Sequence, residues 1–141
     1  MENHPDNPIY KQQFTVPASA VDENGHVNNV MYVQWMQDIA VRHYTFIGGT
    51  DLIQKLGCTW VVREHKIEYL LPAFAGEEIE VQTWVANVRR VRSLRKYRFV
   101  RLSDEQMLVR GETDWVLVDV RTGHPRRIPE EATAIFQLKE G

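Results

Sequence analysis

The chain has 141 residues, 43% of them apolar, with 17 Lys+Arg against 19 Asp+Glu and a formal net charge of -2. That length suits one domain that buries roughly 68–70% of its unfolded surface, and it leaves no room for a second. The charge balance excludes a whole-chain footprint for nucleic acid or an anionic membrane, and the apolar content excludes a disordered chain.

The single cysteine, Cys58, cannot form an intramolecular disulfide, and a Cys-based zinc site needs more ligands. Stability must come from packing, and a reducing compartment fits. The first eight residues carry no basic n-region and no apolar h-region, so no signal peptide is expected. No apolar run approaches about 18 residues, the length of a membrane span. A soluble cytoplasmic domain with no membrane contact is expected.

Residues 1–8 are polar with two prolines and read as a flexible tail, leaving 9–141 as one domain. Tyr10, Phe14 and Val16 share one side of a first strand stopped by Pro17. Asp22 to Asn29 is a polar run with Gly25, hence a loop. A helix is predicted from about Asn29 to Ile47, capped by Asn28 or Asn29. Val33, Met36, Ile39, Ala40, His43, Tyr44 and Ile47 recur at helical spacing, opposite a polar stripe of Gln34, Asp38, Arg42 and Thr45. So wide an apolar face implies a helix mostly surrounded by protein. Gly48-Gly49 ends it, and Asp51 to Leu56 forms a further short helix.

Four strands follow: Thr59–Leu71, Glu78–Val91, Ser93–Leu102 and Met107–Val120. Long runs joined by short polar turns favour an antiparallel meander. Ile128-Pro129-Glu130-Glu131 opens a short C-terminal helix to about Leu138. One antiparallel sheet curling around one helix is α+β. The other sheet face then calls for a partner subunit.

The most informative segment is Asp22-Glu23-Asn24-Gly25-His26-Val27-Asn28-Asn29-Val30-Met31-Tyr32-Val33-Gln34-Trp35. It places a carboxylate, several amides and an imidazole just before a helix N-terminus. Such a terminus presents free N–H groups and partial positive charge, suited to an oxyanion. A nearby Asp or His can activate water or attack a carbonyl. The same residues are also the expected formers of a plain capping loop.

Asp22, Asn24, Gly25, His26, Val27, Asn28, Asn29, Tyr32 and Trp35 match two family signatures without gaps. The segment resembles the D-x-N-x-H-V-N-N-x-x-Y-x-x-W signature of hotdog-fold acyl thioesterases. It is also similar to the D-x-x-G-H-V-N-N-x-x-Y of single-domain acyl-CoA thioesterases. The resemblance implies a hotdog fold, a long central helix wrapped by a curled five-stranded antiparallel sheet. It implies hydrolysis of an acyl-CoA or acyl-carrier-protein thioester by a homodimer or homotetramer with active sites at the subunit interface. Asp22 falls on the family's catalytic carboxylate, as general base or nucleophile, and Asn24 and His26 fall on its polar partners. Asn28, Asn29, Val30 and Tyr32 would line the substrate, with backbone N–H groups near Asn28 to Val30 holding the thioester oxygen. No cofactor and no metal are expected, because a thioester is already activated.

The chain departs from the family in three places. The plant carrier-protein enzymes hold two hotdog repeats, and this chain holds one. Their downstream acidic residue and cysteine have no clear match around Leu71–Phe74. Many bacterial relatives place a Glu on the central helix, where this chain reads Gln37-Asp38. Other classes on the same fold are a non-catalytic acyl-thioester binding module and a hydratase or dehydratase.

A basic run, Arg89, Arg90, Arg92, Arg95, Lys96, Arg98 and Arg101, contains no acid. It reads either as a solvated strand face or as a contact for coenzyme A phosphates or an acidic carrier protein. Arg89, Arg90 and Arg92 flank a turn and are the better candidates. Nucleic acid is not expected, for want of interleaved stacking aromatics. His43 reads as a core histidine, and Cys58 as a buried structural thiol.

Overall fold

The computed structural model describes residues 2–141. Its elements are β1 (Tyr10–Thr15), a 3-10 turn (Ala18–Ala20), α1 (Asn29–Phe46), α2 (Gly49–Lys55), β2 (Cys58–Tyr69), β3 (Glu78–Arg89), β4 (Arg92–Arg101), β5 (Met107–Asp119) and α3 (Glu130–Ala134). The five strands form one antiparallel sheet in the order β1-β3-β4-β5-β2. Sheet and helix together make the expected hotdog architecture.

The expected meander holds for β3, β4 and β5 only. β2 does not pair with β3 but crosses to the far side of β5, Cys58 opposite Asp119 and Tyr69 opposite Val109. The segment after β2 makes the crossing possible. Leu70 and Leu71 N–H groups both donate to Leu108 O, and Pro72 then ends the pairing. α3 is shorter than expected, five residues rather than a helix to Leu138.

α1 begins where its local chemistry dictates. Asn28 is extended, and its Oδ1 accepts the Val30 N–H at 2.9 Å. Such a cap contributes about 1 kcal/mol. The helix ends at a left-handed Gly48, φ 86°. Gly49 is needed for another reason, because a Cβ there would stand 2.2 Å from the Tyr44 ring. The helix buries Tyr32, Met36, Ile39, Ala40, His43 and Tyr44. Met36 and Ile39 meet Ile79, Val81, Tyr97, Phe99 and Leu108 from the concave sheet face. A second cluster joins Tyr44, Ile53, Leu117, Ala132 and Phe136 at the other end of the helix.

The predicted polar stripe is polar in fact. Gln34 donates to Asp38 at 2.9 Å, and Arg42 to Gln12 at 2.7 Å. The helix is less enclosed than its sequence implies, however. Val30 is 70% exposed, Val41 59%, and Phe46 is also exposed. At the N-terminus, Asn3 bonds both backbone groups of Lys11, tying residues before β1 to that strand.

Candidate active site

The loop between the 3-10 turn and α1 is built from local hydrogen bonds. Val21 and Val27 form an isolated bridge. Inside it, Asp22 N–H donates to His26 O at 3.1 Å and Gly25 N–H to Asp22 O at 3.0 Å. Gly25 has φ 84°, which favours glycine. The base of the loop is pinned by Val27 N–H to Ala73 O, 2.8 Å, and Asn28 N–H to Ala20 O, 2.9 Å.

Asp22 is half-buried, and its Oδ1 accepts the Asn24 N–H at 2.9 Å. Its Oδ2 makes no hydrogen bond to a described residue. The Asn24 side chain is exposed and does not bond Asp22. The His26 ring turns elsewhere, with Nδ1 3.3 Å from Val27 O. The three expected catalytic residues therefore share one tight loop with no side-chain to side-chain bond between them.

Of the three expected oxyanion donors, two are already engaged. Asn28 N–H holds Ala20 O, and Val30 N–H holds the Asn28 side chain. Asn29 N–H is the one left without an acceptor among the described residues. The capping that starts the helix is what consumes the Val30 donor. Val30 presents its side chain outward, and Tyr69 Oη donates to Asn29 O at 3.2 Å.

Tyr32 lies in the core rather than at the surface. It is 2% exposed, packed edge-on against Trp35, Tyr69 and Phe99. Burial, followed by the charge of Glu77, pushes its phenol up to about 12. Its hydroxyl has no hydrogen-bond partner among the described residues.

The basic run divides once the strand is folded. Arg92 is paired with Asp114, and Arg101 with Asp104 and Glu77. Arg98 sits over the Trp84 ring at 4.7 Å. Arg89 and Arg90 carry no acidic partner among the described residues, and Arg90 takes φ 50° in the β3–β4 turn. With Arg92 they border a groove of about 460 Å³. This turn and Asp22 are not brought together within one chain. The Asp22 loop is pinned to Ala73, just ahead of the start of β3 at Glu78, whereas Arg89 ends that strand. Along the strand that is roughly 35 Å, at about 3.3 Å per residue.

A buried contact joins the far end of α1 to β4. Arg95 points inward, 4% exposed, and its Nη1 donates to His43 Nδ1 at 2.8 Å and Thr83 Oγ1 at 3.2 Å. His43 is a buried core histidine, as expected. Burial, then the Arg95 charge, lowers its pKa to about 3. Its ring also stacks on Tyr10, centroids 5.1 Å apart. Beside Arg95 is a cavity of about 170 Å³ lined by Tyr44, Trp60, Trp115 and Phe136. Cys58 is buried, as expected. Among the described residues no group of three or more His, Cys, Asp or Glu side chains is gathered as a metal site, and no helix is long and apolar enough to cross a membrane.

A sequence profile of the Thioesterase-like superfamily matches residues 16–136. The chain belongs to that superfamily. The match takes in the Asp22 loop, α1 and the whole of β2 to β5. A chloroplastic palmitoyl-acyl carrier protein thioesterase of Cuphea hookeriana is 23% identical over 135 residues, covering 89% of this chain. The chain spans 32% of the length of that relative. The fold is similar to that of an acyl-ACP thioesterase from Bacteroides thetaiotaomicron, TM-score 0.87 at 22% identity, over 99% of this chain and 57% of the other. It is also similar to that of a 1,4-dihydroxy-2-naphthoyl-CoA thioesterase from Synechocystis, TM-score 0.80 at 15% identity, over 90% and 94%. This superfamily member thus shares its fold with both single-length and longer thioesterases.

Proposed function

We propose that this protein hydrolyses an acyl thioester, of coenzyme A or of acyl carrier protein, to a free carboxylic acid and a thiol. One observation carries the reading. A half-buried carboxylate with a free oxygen, Asp22, sits in the loop that leads to a free backbone N–H at the start of an 18-residue helix.

Asp22 acts as general base or as nucleophile. As a base it takes a proton from water while the water oxygen bonds to the carbonyl carbon. The resulting oxyanion is held by Asn29 N–H and the positive end of α1. Collapse breaks the C–S bond, and the thiolate takes up a proton as it leaves. Asn24 and His26 orient the reacting groups, Asn28 fixes the helix start, and Val30 and Tyr32 bound the acyl group.

Arg89, Arg90 and Arg92 meet the coenzyme A phosphates or an acidic carrier protein. Because they lie a strand's length from Asp22 in their own chain, they serve the site of a second copy. A homodimer or homotetramer is therefore part of this reading, in a cytoplasmic enzyme of acyl metabolism. The free edge of β2 is the natural seam, since it exposes Val61 and Tyr69 and the adjoining Leu70 and Leu71. Light scattering is expected to give at least twice the 16.5 kDa chain mass. A strictly monomeric protein with full activity would overturn the shared site.

The central test is a thiol-release screen over acyl-CoA and acyl-carrier-protein substrates. Stoichiometric free thiol and free acid are expected. Tight acyl-CoA binding without turnover would make the protein a binding module instead. Hydrated acyl-CoA without free thiol would make it a hydratase.

A further inference from the structure

Arg95 is the least expected charge in the molecule. It shares the concave face of β4 with Ser93, Tyr97 and Phe99, all buried. Its two hydrogen bonds both use Nη1, and both acceptors, His43 and Thr83, are neutral. Nε and Nη2 have no acceptor among the described residues. Arg95 forms no ion pair with any described residue. Glu80 is the one buried carboxylate among them. It falls on the other face of β3 from Thr83 by strand alternation, where it accepts from Gln82 and Gln13.

A guanidinium does not escape this position by losing its proton. A buried ion without a counter-charge is strongly unfavourable, and natural proteins pair such groups. The missing partner has a place to sit. Arg95 borders the cavity of about 170 Å³, whose aromatic walls are Tyr44, Trp60, Trp115 and Phe136, with Thr50, Thr59 and Ser93 also lining it. An apolar cavity of about 150 Å³ accepts a molecule the size of benzene. A single cation in aromatic walls selects an apolar body with one anionic end.

The cavity also adjoins the helix whose N-terminus carries the proposed oxyanion donor. Val41 forms its lip, and Val30 begins the same helix. Eleven residues at 3.6 per turn bring the two onto one face, roughly 16 Å apart along the axis. An extended acyl group running down that face from Asn29 would end at Arg95.

We propose that this cavity binds the carboxylate of an apolar carboxylic acid through the Arg95 guanidinium. The carboxylate is either the far end of an ω-carboxyl acyl thioester or a separate free acid. The first source rests on the hydrolase reading; the second does not.

The test begins with binding, which needs no turnover. Benzoate and its neutral counterpart benzyl alcohol are titrated by calorimetry into the wild type, Arg95→Met and Arg95→Lys. Benzoate is expected to bind the wild type at least tenfold more tightly than benzyl alcohol. Arg95→Met should lose that preference while melting no lower than the wild type, because it removes an unpaired buried charge. Arg95→Lys, which keeps the charge without the planar fork, should keep part of the preference. Equal or absent binding of the two probes by the wild type would overturn the proposal, as would an undiminished preference in Arg95→Met. If Arg95→Met fails to fold, Arg95→Lys decides, since a full preference there would deny the fork a role. The second arm compares kcat/KM for ω-carboxyl and ω-methyl acyl-CoA of equal length. A preference for the ω-carboxyl substrate that Arg95→Met abolishes assigns the anion to the substrate. Benzoate binding without that preference assigns it to a free acid. Absence of all hydrolysis would count against the hydrolase reading and leave the binding result intact.

Discussion

Asp22→Asn is expected to lower thioester hydrolysis by about two to four orders of magnitude, the range of a general base. Melting temperature should not move. The reasoning turns on what the amide keeps. Asp22 supports its loop through Oδ1, which accepts the Asn24 N–H. An asparagine Oδ1 accepts that bond equally well and suits the same turn. The backbone bonds from Asp22 N–H to His26 O and from Gly25 N–H to Asp22 O do not involve the side chain. What the variant loses is the negative charge and the ability to take a proton from water. The loss should therefore fall on kcat, with KM little changed, since the carboxylate is not required to grip the substrate. If Asp22 is the nucleophile, the loss is at least as large. Unchanged kcat in a folded Asp22→Asn protein would sink the assignment. An equal fall in melting temperature would reassign Asp22 to the loop alone.

Acid should destabilise the fold well before its carboxylates protonate, and His43 is the cause. In the unfolded chain a histidine titrates near 6.5, whereas in the native core His43 stays neutral down to about 3. Burial is the larger reason, and the adjacent Arg95 cation the second. Between those values the unfolded chain binds a proton that the native state refuses. Stability is thus fully present above about pH 6.5 and lost as pH falls toward 3, by up to about 1.4 kcal/mol per pH unit. His65, also lowered by burial, acts in the same direction. The carboxylates held below their usual range by partners, Glu68, Asp104 and Asp119, add their own loss only as pH falls through and below the ordinary carboxylate range. Urea unfolding between pH 7 and 4.5 reads the slope. His43→Gln keeps an acceptor for Arg95 and cannot titrate, so it should flatten most of that slope. An unchanged slope in the variant would place the acid sensitivity elsewhere.

The two experiments probe features of very different legibility. The Asp22 loop was readable because every signal in it is local. Asp, Asn and Gly at these offsets make an Asx turn, and Asn28 caps the helix three residues beyond Gly25. The same locality hid a consequence. An asparagine that caps Val30 removes that donor from the oxyanion site, and an Asn28 N–H tied to Ala20 removes another. Those pairings need the partner atom in place, and residue 20 is brought to residue 28 only by the folded loop.

The Arg95–His43 pair is not legible in the sequence, although each residue stands out by itself. His43 declared itself by helical periodicity. Arg95 looked like one more member of a basic strand, because Arg92, Lys96 and Arg98 alternate with Ser93, Arg95, Tyr97 and Phe99. Each face of that strand carries at least one arginine, so alternation alone separates two faces without saying which is inside. The register against Thr83 and Val85 of β3, and the position of α1 above them, settle it.

Taken alone, the sequence determined the span of α1, the presence of five strands, the capping loop and the superfamily signature within it. These follow from backbone preferences and side-chain periods that act over a few residues. Only the tertiary structure decided that β2 crosses to β5, that the Arg89 turn lies a strand's length from Asp22, and that one arginine is sealed beside a cavity. Those outcomes depend on which distant segments pack together, and the energy that chooses them, burial of a shared core, belongs to no single stretch of chain.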